Sequence, residues 1–319
     1  MVKSCFNCGE ESPDIAKFCI NCGKEFDLSF SGFNKYICQE TVDKLENISL
    51  NEDEYDAIIN DIIANAKINY ANLINESELD ENELFPLKRI TLVALSFTPI
   101  LSKIEGDGKS SYGFNLIKVS EKLNSSQKIL NILKELAHHL LAEILENVFA
   151  YILNVEKDDD LEAVIAASLK FKNAFLMDEY CSCIVQEKFV PYGFQNYDSV
   201  YEILDSFQDG LEKENALNDL NFGKSISQDI IKILDEFIDD DLIEKIKIQF
   251  DVDEIGDQGF STDFNEVSIL NDEQKIKHIT SVSLAIPIKI FLEDNGQYGD
   301  ILSQYSEKFK VINEINKQN

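Results

Sequence analysis

A single arginine, Arg89, serves a chain of 319 residues in which 59 acidic side chains face 29 lysines and arginines, for a formal net charge of −30. The acids are spread along the chain and do not form one tail. A protein held on nucleic acid needs clustered lysine and arginine to contact phosphates, and this shortage disfavours that function class, leaving only a ribbon that touches nucleic acid while the acidic body recruits a basic partner. Anionic membrane surfaces would repel the chain as well. Long apolar runs are also scarce: the longest, near Ile90 to Leu101 and Ile279 to Leu292, are too short or too interrupted to span a bilayer. The opening MVKSCFNC lacks the apolar stretch of a secretory signal, so the expected location is cytoplasmic. Missing too are a glycine-rich phosphate loop, a GxSxG nucleophile elbow, a GxGxxG turn, internal repeats and low-complexity tracts.

Against these absences, cysteine is concentrated at one end. Cys5, Cys8, Cys19 and Cys22 form two CxxC pairs with ten residues between them. Each pair lets two thiolates converge on one metal from a tight turn, and together they complete the four-sulfur tetrahedral shell of structural Zn2+. Gly9 and Gly23 follow the second cysteine of each pair, where the chain must turn around the metal. A reducing compartment keeps such thiols available, and Cys38, Cys181 and Cys183 are left as uncommitted thiols. A ribbon of residues 1–27 is too small to fold on its own core and depends on its metal. Residues 28–50 read as a linker, and 51–319 as a separate, mostly helical domain.

Helical patterning dominates that domain. Asn51 to Asn75 places Tyr55, Ile58, Ile59, Ile62, Ile63, Ala66 and Tyr70 on one face. Leu84 to Ile104 reads as a second helix, with Pro86 near its start and Pro99 near its end. Tyr112 to Val119 is the strand candidate. Asn124-Ser-Ser-Gln127 forms a capping box for the longest helix, to about Leu153. Its apolar face carries Ile129, Leu133, Leu136, Leu140, Ile144 and Val148, and its other side Asn131, Glu135, His138, His139 and Glu146. Asp158 to Asp160 cap the next helix. Helices are expected over Asn173 to Lys188, Ser199 to Leu217, Ser225 to Ile248, Asp272 to Leu292 and Asp300 to Asn316, with a short strand at Ile246 to Phe250.

Only three histidines occur, and two are adjacent within Lys134-Glu-Leu-Ala-His138-His139. This stretch resembles the HExxH helix of zinc metallopeptidases, where two histidines at i and i+4 bind the metal and the glutamate between them activates water. The resemblance implies a strand before the helix and, in the gluzincin branch, a third ligand from a later helix. Over about residues 84–195, it puts Glu135 at the base, His138 at the second ligand and Glu179, in Asp178-Glu179-Tyr180-Cys181, at the third. Lys134 stands where the first histidine belongs. An ammonium has no lone pair and repels zinc. Cys183, four residues after Glu179, lies on the same helix face and offers a substitute thiolate. His139 diverges from His138 by about 100° and cannot easily share its metal. The plainer alternative makes Glu135, His138 and His139 a solvated helix face, Lys134 an ordinary ion-pair partner of Glu135 or Glu179, Cys181 and Cys183 small buried hydrophobes, and His278 a core or edge histidine.

The expectation is a mainly α protein: a small N-terminal four-cysteine zinc ribbon followed by a large helical domain with a minor β element and a degenerate zincin-like core. Its expected role is non-catalytic, with a protein as partner. The competing expectation is a zinc-dependent peptidase using Glu135 as base and His138, Glu179 and Cys183 as ligands.

Overall fold

The structure is a computed structural model that describes residues 2–4, 11–13, 20–22, 32–47, 50–77, 84–97, 100–104, 111–194, 197–207, 210–253, 266–293 and 298–317. Two short strands, β1 (Val2–Ser4) and β2 (Glu11–Pro13), pair antiparallel with Val2 opposite Pro13. Cys5, Cys8 and Cys19 lie outside the described residues, while Cys22 sits in an exposed turn at 20–22. The span expected as a linker contains α1 (Gln39–Asn47). Phe33, Tyr36, Ile37, Val42 and Leu45 are buried in the main core, and the Tyr36 hydroxyl donates to Asp158 Oδ1 at 2.9 Å. Five apolar side chains within thirteen residues make solvation of residues 33–45 unfavourable, so this stretch packs into the body.

The body is mainly α. Next comes α2 (Glu52–Glu76), capped by Asn51, whose side chain accepts from the Glu54 backbone N–H while Glu54 returns the bond. The following helix is shorter than expected. α3 (Pro86–Ser96) ends at Phe97, and Ile100–Ile104 is strand β3. Pro99 supplies no N–H to continue a helix, and a short run of apolar and β-branched residues satisfies either period. The expected strand over 112–119 is a hairpin, β4 (Ser111–Gly113) and β5 (Leu116–Ser120), turning at Phe114 and Asn115 with φ of 55° and 57°. Strand order is β3-β5-β4, with β3 parallel and β4 antiparallel to β5. Asn tolerates the left-handed conformation better than Phe. Phe114 is held in it by edge contacts to Tyr305 and Phe309, with ring centroids 4.7 and 5.2 Å away.

At the centre runs α4 (Ser125–Leu153), opened by the Asn124–Gln127 capping box and closed by Asn154 at φ 55°. Most of its polar side is buried. Glu135, His138, His139 and Glu146 are 7%, 7%, 2% and 3% exposed, because α2, α3, β5, α5 (Asp159–Ser168) and α6 (Lys172–Phe189) pack around this helix. Among the described residues it is the one helix long and apolar enough to cross a membrane, and burial inside the body accounts for its composition.

The expected helix over 199–217 is interrupted. α7 (Asp198–Asp205) is followed by α8 (Gly210–Asp235), and α9 (Asp240–Val252) absorbs the strand expected at 246–250. Ile246 and Phe250, four residues apart and both buried, form one helix face as readily as a strand. The last elements are α10 (Asp272–Lys277), a π-helical segment (His278–Ala285), α11 (Ile286–Glu293) and α12 (Gly299–Asn316). α12 lies along α5, where Asn313 Nδ2 donates to Glu162 Oε2 at 2.8 Å.

Candidate functional site

Helices α4 and α6 pack side by side and bring together most of the residues singled out in the sequence. Lys134 Nζ donates to Glu179 Oε2 at 2.9 Å, and Ser199 Oγ, from α7, donates to the same oxygen at 2.7 Å. His138 lies one turn along α4 from Lys134. Its Nδ1–H donates to Asp178 Oδ1 at 2.7 Å, and its Nε2 is 3.8 Å from Glu179 Oε1. Lys134, His138 and Glu179 therefore share one partly buried polar cluster. The plain solvated-face alternative fails for Glu135, His138 and His139, whereas the ion pair between Lys134 and Glu179 is present.

The charges in this pocket reinforce one another. Burial alone would make Lys134 and His138 less basic, but their neighbours outweigh it: the Cys183 thiol, Glu179 and Glu135 beside Lys134, and Asp178, Glu135 and Glu179 beside His138. Both end above their usual ranges. Burial alone would raise Glu179, yet His138, Lys134 and the Ser199 hydroxyl hold its carboxyl below the ordinary range. A cationic lysine, an imidazole that favours its proton and an ionised carboxylate make a closed ion cluster. A metal would need the histidine neutral and the lysine gone.

Of the remaining candidates, Cys183 borders the cluster, with its thiol acting on Lys134 and acted on by Lys134 and Glu179, and the others lie apart from it. Cys183 is fully buried in a small apolar cluster with Leu176, Tyr180, Tyr197 and Val200, where burial pushes its thiol up to about 12. Burial likewise drives the Cys181 thiol well above its ordinary value. His139 points away from His138, as the spacing of about 100° requires. Its Nε2–H donates to the Phe97 carbonyl at 2.9 Å, and its Nδ1 is 3.1 Å from the Tyr112 hydroxyl. Burial lowers this imidazole, so it is a neutral core group. Glu135 is buried, and its charge acts on both Lys134 and His138. Among the described residues, no three His, Cys, Asp or Glu side chains are arranged to hold a metal ion.

Two members of the cluster escaped the sequence reading. Asp178 adjoins Glu179, and its role was hidden because neighbouring helical residues normally diverge. Ser199 arrives from α7, twenty residues after Glu179, and no local pattern announces that contact. Compared with family models, curated proteins and solved structures, the chain matches none.

Proposed function

We propose that this is a zinc-stabilised interaction protein, in which a four-cysteine ribbon is joined to a metallopeptidase-like helical body whose Lys134 cluster does not act as a peptidase, because it carries an ion pair in place of a metal. The observation that carries the reading is the 2.9 Å contact between Lys134 and Glu179, with His138 Nε2 3.8 Å from the same carboxylate. In the peptidase pattern these three positions are the zinc ligands. Here the Lys134 ammonium supplies the positive charge that would neutralise Glu179, and Glu135 has no metal-bound water to deprotonate. The present residues do not fit a catalytic zinc, which takes three protein ligands and one open position.

For the ribbon, the pairing of Val2–Ser4 with Glu11–Pro13 supports the reading, because it sets the residues before Cys5 beside those that follow the first CxxC pair. Zn2+ held by Cys5, Cys8, Cys19 and Cys22 would stabilise a module too small for its own core. The body's net charge disfavours nucleic acid and favours a protein partner with a basic surface.

Zinc counting by elemental analysis tests this reading. The wild-type chain is expected to hold one zinc, and the double variant Cys5→Ser, Cys8→Ser none. Lys134→His, which restores the third ligand, is expected to hold two. A second tightly bound zinc in the wild type, lost on His138→Ala, would overturn the proposal in favour of a peptidase.

A further inference from the structure

A second site, sharing no residue with the Lys134 cluster, is built around the third histidine. The cleft between the start of α6, α8 and the π-helical segment encloses about 870 Å3 and is lined by apolar groups that include Phe171, Ile286 and Ile290. At its floor, Asp219, His278 and Ser283 converge. His278 Nδ1 is 3.5 Å from Ser283 Oγ, and its Nε2 is 3.7 Å from Asp219 Oδ1. The other carboxylate oxygen accepts from Asn173 Nδ2 at 2.6 Å. Phe222 lies flat against the imidazole, with ring centroids 4.0 Å apart and planes within 7°, so the ring is gripped on its face and directed at both ends.

The backbone supplies the reason these groups meet. In an α-helix, residues five apart diverge by about 140°. The segment His278–Ala285 is π-helical, the i→i+5 form, which brings position 283 over position 278. π-helical segments are rare and frequently mark functional sites. A cleft of this size, with apolar walls and a few convergent polar groups, is of the kind that binds small molecules.

We propose that this cleft is an acyl-transfer site for small esters with an apolar acyl chain, in which Ser283 is the nucleophile, His278 the general base and Asp219 the residue that orients it. With Nε2–H facing Asp219, the Nδ1 lone pair faces the serine hydroxyl. Ser283 Oγ attacks the ester carbonyl carbon while its proton passes to His278 Nδ1. The bond from the carbonyl carbon to the alkoxy oxygen then breaks, and the departing oxygen takes that proton and leaves as the alcohol. Water attacks the acyl-serine, gives a proton to His278, and the carboxylic acid departs as Ser283 recovers its hydrogen. Water is the only co-reactant, and the net reaction is ester plus water to acid plus alcohol. Contacts of 3.5 and 3.7 Å are longer than working hydrogen bonds, and in this proposal they shorten as substrate binds. The acyl chain lies along the apolar wall of Phe171, Ile286 and Ile290.

The test is labelling of the full-length protein with a fluorophosphonate, with the adduct located by mass spectrometry, alongside hydrolysis of p-nitrophenyl butyrate. Ser283 is expected to carry the adduct, and both activities are expected to fall by about 10³-fold or more in Ser283→Ala and His278→Ala. Asp219→Asn is expected to slow labelling at least about tenfold and to move the midpoint of its pH profile, which a merely structural aspartate would not do. No adduct at Ser283 in a folded wild-type chain overturns the proposal, as does ester hydrolysis that survives Ser283→Ala. Should the alanine variant unfold, Ser283→Cys replaces it. Alkylation of that thiol by iodoacetamide is expected to slow when His278→Ala is added, and an unchanged rate overturns the proposal equally. Zinc content is untouched by these variants, so this site and the Lys134 reading fail separately.

Discussion

Lys134 and Glu146 lie on the same buried helix and resolve their charges differently. Lys134 has a carboxylate within 2.9 Å and stays cationic. Glu146 is 3% exposed, and its nearest cation, Lys157 at 3.6 Å, is closer to Glu143 at 2.6 Å. Burial lifts the Glu146 carboxyl well above 4.5, with Glu143 and Glu162 adding to the effect and Lys157 opposing it. A carboxyl raised on folding contributes stability that is full below pH 4.5 and lost as pH rises through the folded value. At neutral pH it therefore weakens the fold. Glu146→Gln, close to isosteric, is expected to gain about 1 kcal/mol at about pH 7.5, and the gain is expected to vanish near about pH 4. Urea denaturation at the two pH values reads this out, and a loss at the higher one would mean that the Lys157 attraction dominates. At this scale, position 134 could be judged from the sequence, since a lysine among histidine ligands is chemically plain. The burial of Glu146 could not, because it depends on which helices surround α4.

Among the elements, α6 and α8 make the most extensive contact, and one glycine permits it. A Cβ on Gly223 would come 2.9 Å from the Met177 carbonyl oxygen and 3.4 Å from Tyr180 Cδ1. The first obstacle is backbone and cannot rotate away. Gly223→Ala improves helix propensity by about 1 kcal/mol, but it forces the two helices apart. The overpacking cost is about 2–3 kcal/mol, and the net expectation is a loss of about 1–2 kcal/mol in urea-unfolding stability. Because α6 carries Asp178 and Glu179 on one side and Asn173 on another, the shift should disturb both sites. An unchanged midpoint would mean the helices can slide without penalty. Several elements were legible from local chemistry: the helix period after Asn51, the capping box at Asn124 and the cap at Asp158. The hairpin at Phe114 and the strand after Pro99 were not. Phe114 tolerates a positive φ only because α12, the last helix of the chain, packs on it.

For the molecule as a whole, the excess of 30 negative charges exceeds what its ion pairs can balance, and long-range repulsion opposes compactness. Raising salt from about 0.01 M to 0.1 M shortens the screening length from about 30 Å to about 10 Å. Stability is expected to rise by about 1 kcal/mol over that range, seen as a higher thermal midpoint by circular dichroism. A fall would mean that attractive pairs such as Lys35–Asp158 and Lys67–Glu236 outweigh the repulsion.

By itself the sequence determined the mainly helical character, the acidity, the caps and the cysteine spacing, because each depends on neighbours within a few residues. Only the tertiary structure decided which face of α4 was buried, that Ser199 and Asp178 complete the cluster around Lys134 and His138, and that a π turn brings Ser283 to His278. Those outcomes arise from contacts between elements far apart in the chain, and from a backbone distortion that no residue spacing encodes.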